Sequence, residues 1–97
     1  MGATKTSHYS KETMQMAKIA NALAHPARIT IVKTLVDKTC VRNKDLQTIV
    51  GLSEGSISQH MKKLIAANIV KFKYITHEYE VSLIPEQLEE LNYYLKQ

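Results

Sequence analysis

The sequence contains a single cysteine, Cys40, so no disulfide can close within the chain. It has no apolar run long enough to span a bilayer, and its first residues, MGATKTSHYSKET, lack the apolar stretch of a secretory signal. Gly2 follows Met1, but the residues after it do not make a compelling myristoylation signal. These absences point to a soluble protein with no membrane partner and a cytoplasmic location. No nucleophile paired with a base and no glycine-rich phosphate loop can be found, so an enzyme is not expected. The four histidines, His8, His25, His60 and His77, form no close pair at helical or zinc-ligand spacing, so no metal or other cofactor is expected. Repeats, linkers and low-complexity segments are absent too.

What remains is one small domain of 97 residues, 44% hydrophobic and 23% charged, the composition of an ordinary folded protein. A chain this short has a modest core, and a partner subunit would help it. Charge is unevenly spread. Between residues 25 and 75, Arg28, Lys33, Lys38, Arg42, Lys44, Lys62, Lys63, Lys71 and Lys73 face only Asp37, Asp45 and Glu54. The C-terminal segment reverses this, with Glu78, Glu80, Glu86, Glu89 and Glu90 against Lys96. A polyanion would be drawn to the middle of the chain, although a basic solvated surface accounts for the charge equally well.

Apolar periodicity predicts the elements. Ser10 caps a first helix in which Met16, Ile19, Ala20 and Leu23 share a face, and His25-Pro26 ends it. Pro26 suits the first position of a second helix with a stripe of Ile29, Val32, Leu35 and Val36. Asn43 is expected to cap a short third helix that buries Leu46, Ile49 and Val50 and stops at Gly51. Ser53 caps the fourth, whose inner face is Ile57, Met61, Leu64 and Ile65 and which ends at Asn68. Only Leu52 separates Gly51 from Ser53, so the third and fourth helices must turn sharply against each other, as in a helix-turn-helix. A period of two then begins: Val70, Phe72 and Tyr74, and after a tip at Thr76-His77, Tyr79, Val81 and Leu83, which is a half-buried hairpin. Pro85 opens a last helix with Leu88, Leu91 and Leu95 in a stripe, Glu86, Glu89 and Glu90 toward its positive end and Lys96 toward its negative end.

The order α-α-α-α-β-β-α is that of a mainly α winged helix-turn-helix domain, placed at residues 10–97 behind a flexible tail of residues 1–9. Two motifs carry a resemblance. IANALAHPARITIVKTL, through Leu23, Ala24, Pro26, Arg28, Ile31 and Val32, resembles the second-helix signature of the ArsR/SmtB family of bacterial repressors. GLSEGSISQHMKKLIAANIV, through Ser53, Ser56, Ile57, Ser58, His60, Met61, Leu64 and Val70, is similar to that family's recognition-helix segment. The resemblance covers roughly residues 12 to 83, with the motifs in the right order and separation.

The fourth helix carries Ser58, Gln59, Lys62 and Lys63 on its outer face with no acid after Glu54, a surface of donors that base edges and phosphates can accept. Set in a major groove, its first half would offer Ser56, Ser58 and Gln59 to bases, with Gln59 the best suited through a bidentate bond to adenine. Lys62 and Lys63 would meet phosphates, and Ser53 is a helix cap before anything else. The resemblance implies His60 at the DNA-facing edge. In the hairpin, Lys73 and His77 can reach the backbone or minor groove, while Glu78 and Glu80 would repel it; Tyr74 and Tyr79 read as packing residues. Some family members sense metals through cysteine pairs near the third helix or His and acidic ligands on the last. Here Cys40 has no second thiol and the last helix has no histidine, so Cys40 is expected to be a buried or weakly exposed structural residue. The resemblance also implies that the terminal helices build a dimer interface, for which Met14, Met16, Leu91, Tyr94 and Leu95 supply apolar surface. The partners expected are double-stranded DNA and a second copy of the chain, with a small-molecule or redox effector left open. The function expected is a homodimeric repressor on a palindromic operator. A winged-helix module that binds protein through Lys62, Lys63 and the acidic hairpin would have the same fold.

Overall fold

A computed structural model of the chain describes residues 8–97, so the tail expected over residues 1–9 lies, for its first seven positions, outside the described residues. The elements follow in the order α1 (Lys11–Ala22), α2 (Pro26–Lys38), β1 (Cys40–Arg42), α3 (Asn43–Val50), α4 (Glu54–Ala66), β2 (Val70–Ile75), β3 (Glu78–Leu83) and α5 (Glu86–Leu95). No helix among them is long and apolar enough to cross a membrane.

Local chemistry explains most boundaries. The Ser10 hydroxyl accepts from the Thr13 N–H to start α1, and the Ser53 hydroxyl accepts from the Ser56 N–H to start α4. Pro26 opens α2, where its missing N–H is no loss. Gly51, at φ 77°, closes α3 in the left-handed conformation, and the N–H groups of Gly51 and Leu52 both donate to the Gln47 carbonyl. Asn68, at φ 57°, closes α4 in the same way, with Asn68 N–H on Ile65 O and Ile69 N–H on Leu64 O.

The core joins α1 (Met16, Ile19, Ala22), α2 (Ile31, Val32, Leu35), α3 (Leu46) and α4 (Ile57, Met61, Leu64) to Val41, Ile69, Val70 and Val81 from the sheet side. The stripe expected on α2 is rotated from the one observed. Ile29 and Val36 are exposed, at 51% and 57%, while Ala27, Ile31, Thr34 and Leu35 face inward. Ala27 is buried at 8% exposed, and the Thr34 hydroxyl is satisfied by donating to the Thr30 carbonyl at 2.8 Å, so a polar residue can be buried there. Ile49 and Ile65 likewise lie on the outer faces of α3 and α4.

The sheet has three strands in the order β1-β3-β2, one more than the hairpin expected. β1 pairs antiparallel with β3, Val41 opposite Val81, and at three residues it is too short to show a two-residue period. Because Arg42 is still paired with Glu80, it occupies the capping position of α3, and Asn43 is already helical rather than its cap. No side-chain cap bond forms there; the Arg42 guanidinium instead bonds Asp45 in the first turn at 3.0 Å.

The hairpin tip places both Thr76 (φ 49°) and His77 (φ 65°) at positive φ, the pattern of a type I′ turn between the paired Ile75 and Glu78. Neither residue type favours that region. Thr76→Asn combined with His77→Gly is expected to stabilise the fold by about 1 kcal/mol, read as a higher midpoint of chemical denaturation; a lowered midpoint would contradict the turn geometry.

Candidate nucleic-acid interface

α4 is held from three directions. Ile57, Met61 and Leu64 anchor its inner face in the core, the tight Gly51 to Ser53 turn fixes its start, and Arg28 of α2 reaches its side. The Arg28 Nε–H donates to His60 Nδ1 at 3.3 Å, and its Nη1 donates to the carbonyls of Asn21 and Ala22 at the end of α1. One guanidinium therefore ties α1, α2 and α4 together. Its five fixed donors make arginine suited to such a junction. His25 completes the cluster: its Nδ1 accepts from the Ala27 N–H at 3.0 Å to cap α2, and its ring lies 4.3 Å from that of His60.

With the helix so fixed, Ser56, Ser58, Gln59, Lys62 and Lys63 are all exposed on one side of α4. The Ser56 hydroxyl accepts from the Ser53 hydroxyl at 3.3 Å. Neither lysine is ion-paired among the described residues, so both ammonium groups are free to meet an anion. His60, by contrast, is half-buried against His25 and Arg28. Burial first, then the neighbouring His25 and Arg28, holds its pKa below the ordinary 6.5.

The wing is less acidic than its sequence suggests. Glu78 accepts from Lys44 at 2.7 Å and from Arg42 at 3.5 Å, and the Lys44 bond, above all, lowers its pKa. Its charge is thus matched from α3 and β1, two cations that the hairpin sequence alone does not reveal. Lys73 is exposed opposite Glu80 in the ladder, and His77 is exposed at the tip. Phe72, Tyr74 and Tyr79 share the other face of the hairpin, with the Phe72 and Tyr74 rings 5.5 Å and 4.9 Å from that of Tyr79. All three are exposed because the hairpin extends beyond the core.

Residues 26–71, which span α2, α3, α4 and the start of the wing, match the winged helix-turn-helix DNA-binding family. NolR from Sinorhizobium fredii superposes with a TM-score of 0.74 at 27% identity, over 99% of this chain and 94% of NolR. An ArsR-like transcriptional regulator from a Rhodococcus species superposes at 0.79 with 20% identity, over 90% of this chain and 81% of that one. The homodimeric winged helix-turn-helix DNA-binding domain from Mycobacterium bovis does so at 0.74 with 17% identity, over 98% and 85%. No curated protein sequence matches the chain. The chain has a winged helix-turn-helix fold like that of these proteins.

In this fold the terminal helices pack on each other, with the Tyr94 hydroxyl bonded to that of Thr13. Met16 lies within the core at 7% exposed, Leu91 and Tyr94 are half-buried against it, and Met14 is half-buried. The apolar surface that α5 leaves open is Leu95 together with Tyr93, both about 70% exposed. Tyr93 falls outside the i, i+3, i+7 stripe, so periodicity does not single it out.

Cys40 is exposed, against the buried or weakly exposed position expected, because β1 is an edge strand and Cys40 shares its outer face with Arg42. Its thiol donates to Glu80 at 3.5 Å, and that bond, followed by desolvation and the Glu80 charge, raises its pKa and so suppresses the reactive thiolate. Among the described residues, no three His, Cys, Asp or Glu side chains converge to hold a metal ion.

Both arrangements can be tested by substitution. Arg28→Met keeps the aliphatic stem but leaves the part-buried Ala22 carbonyl and the His60 acceptor without their donor, and should cost about 1–3 kcal/mol of stability in a denaturant titration. Glu80→Gln should speed alkylation of Cys40 by iodoacetamide at neutral pH, since the groups that raise its pKa are weakened; a slower reaction would reverse the sign of the Glu80 effect.

Proposed function

We propose that the chain is a homodimeric, sequence-specific DNA-binding repressor that reads a palindromic operator with α4. The observation that carries this reading is the outer face of α4: hydroxyls, an amide and two unpaired ammonium groups, exposed together on a helix whose other face is locked in the core. In this reading Gln59 contacts a base edge, with Ser56 and Ser58 beside it, and Lys62 and Lys63 hold phosphates. His60 stands at the edge of this surface, where its half-buried ring suits it to steady the helix as well as to approach the duplex. Lys73 and His77 reach toward the backbone from a wing whose Glu78 is neutralised by Lys44 and Arg42. The region matched to the DNA-binding family includes all of α4.

Dimerisation through the terminal helices is supported by exposed Leu95 and Tyr93, adjoining Met14, Leu91 and Tyr94, and by the homodimeric state of the Mycobacterium bovis domain of like fold. A twofold axis there sets the two α4 helices about 34–36 Å apart, one turn of duplex, and so demands a palindrome. Repression follows when the bound dimer occupies a promoter.

Selection of bound duplexes from a random pool tests this directly. Recovery of a palindrome bound with a steep dependence on salt supports the reading, whereas no binding to any duplex at low salt would leave the fold as a protein-interaction module. On the selected duplex, Gln59→Ala should lose about 1–3 kcal/mol of discrimination at one base pair per half-site. Lys62→Ala should weaken selected and random duplexes alike and flatten the log-log salt slope by about one unit for each phosphate it no longer neutralises. Equal losses of specificity from the two variants would refute the division of roles.

A further inference from the structure

The cluster of His25, Arg28 and His60 sits where the DNA-reading helix meets the rest of the domain, and its bond from Arg28 requires a lone pair on His60 Nδ1. The Ala27 N–H and the Arg28 Nε–H are obligate donors, so the Nδ1 atoms that accept from them must both carry a lone pair. The His60 imidazole therefore keeps its proton on Nε2 and is neutral. A second proton on His60 Nδ1 would point at the guanidinium and break the tie between α2 and α4.

The surroundings offer nothing to offset such a charge. The titratable and charged groups that face His60 are Arg28 of α2 and His25, which caps that helix. Val50 of α3 and Leu52 of the turn line the same groove with Ser56 and Thr30, and none of these carries a charge. α1 contributes only the Asn21 and Ala22 carbonyls, which are taken by Arg28. Along α4, Lys63 lies one turn further on and adds positive charge. No carboxylate among the described residues pairs with either ring.

We propose that His60 is a positioning residue for α4, and that uptake of a proton by His60 releases the Arg28 tie and loosens the DNA-reading geometry. The inference rests on the proposed DNA-binding role of α4. The direction of linkage agrees. A histidine that resists protonation when folded contributes stability fully above its unfolded pKa, near 6.5, and that contribution is lost as pH falls below it. The result runs against ordinary electrostatics, in which added positive charge strengthens attachment to DNA. Mild acid is thus expected to weaken selective binding while leaving general attachment intact.

The test uses the full chain and two duplexes, the one recovered by selection and one of random sequence. Imidazole and amide NMR followed from about pH 7.5 to about pH 5.5 should show His60 as the Nε2–H tautomer, with the Ser56 to Lys62 amides moving on the His60 titration. Affinity for the selected duplex should fall at least about threefold over that range while the random duplex holds or gains. His60→Asn, which keeps an acceptor near the Nδ1 position but cannot be protonated, should show, whatever its affinity at neutral pH, a ratio of selected to random binding that no longer changes with acid. His60→Gln, which places its amide further out, should lose selectivity at every pH. Should the ratio for His60→Asn still fall with acid, or the α4 amides ignore the His60 titration, the positioning role is overturned. If no duplex is selected at all, the DNA reading fails by itself, and the α4 amide shifts still decide whether His60 sets the helix.

Discussion

The arrangement depends on one guanidinium. Arg28 bonds the last carbonyls of α1 and the His60 ring on α4 while its own backbone is part of α2. A small domain cannot fix three helices by burial alone, because much of its surface stays in water. A charged, planar group with several fixed donors supplies the directionality that apolar packing lacks. The helix that presents Ser56, Ser58, Gln59, Lys62 and Lys63 is therefore held by shape on its inner face and by angle at its side. Pro26 and His25 serve the same end by starting α2 at the right residue, which sets where Arg28 projects.

The wing shows a different balance. Its outer half lies beyond the core, so exposed Phe72, Tyr74 and Tyr79 pack on one another rather than on the domain. Its register is held from the other edge by β1, which also brings Arg42 and Lys44 onto Glu78. A hairpin that would repel a polyanion by its own residues is thereby made compatible with one. These pairs are exposed, so their main effect is on the local field and not on stability.

Much of this is legible in the residues. Ser10, Pro26, Gly51, Ser53 and Asn68 mark helix boundaries through their own hydrogen-bonding or backbone preferences, and the structure puts each at the end it implies. Ile57, Met61 and Leu64 on the inner face of α4, though not Ile65, and the hairpin follow from periods long enough to count. Where expectation and structure differ, the cause is shared: the outcome turns on neighbours distant in sequence. Periodicity assigns the face of α2 by its largest apolar residues, but Ala27 and Thr34 are inside and Ile29 and Val36 outside because of where α3, α4 and the sheet pack. β1 exists only because β3 offers it an edge. Cys40 is exposed and Asn43 helical as consequences of that same strand.

The candidate site divides in the same way. Local sequence determined which residues the outer face of α4 carries and that no acid interrupts it after Glu54, because a helix with a buried stripe has only one way to turn. Tertiary structure alone decided that His60 is drawn in against His25 and Arg28, that Glu78 is neutralised, and that Met16 belongs to the core while Tyr93 and Leu95 lie open. Periodicity is a property of a chain segment. Burial and the pairing of charges belong to elements brought together, and no segment encodes them by itself.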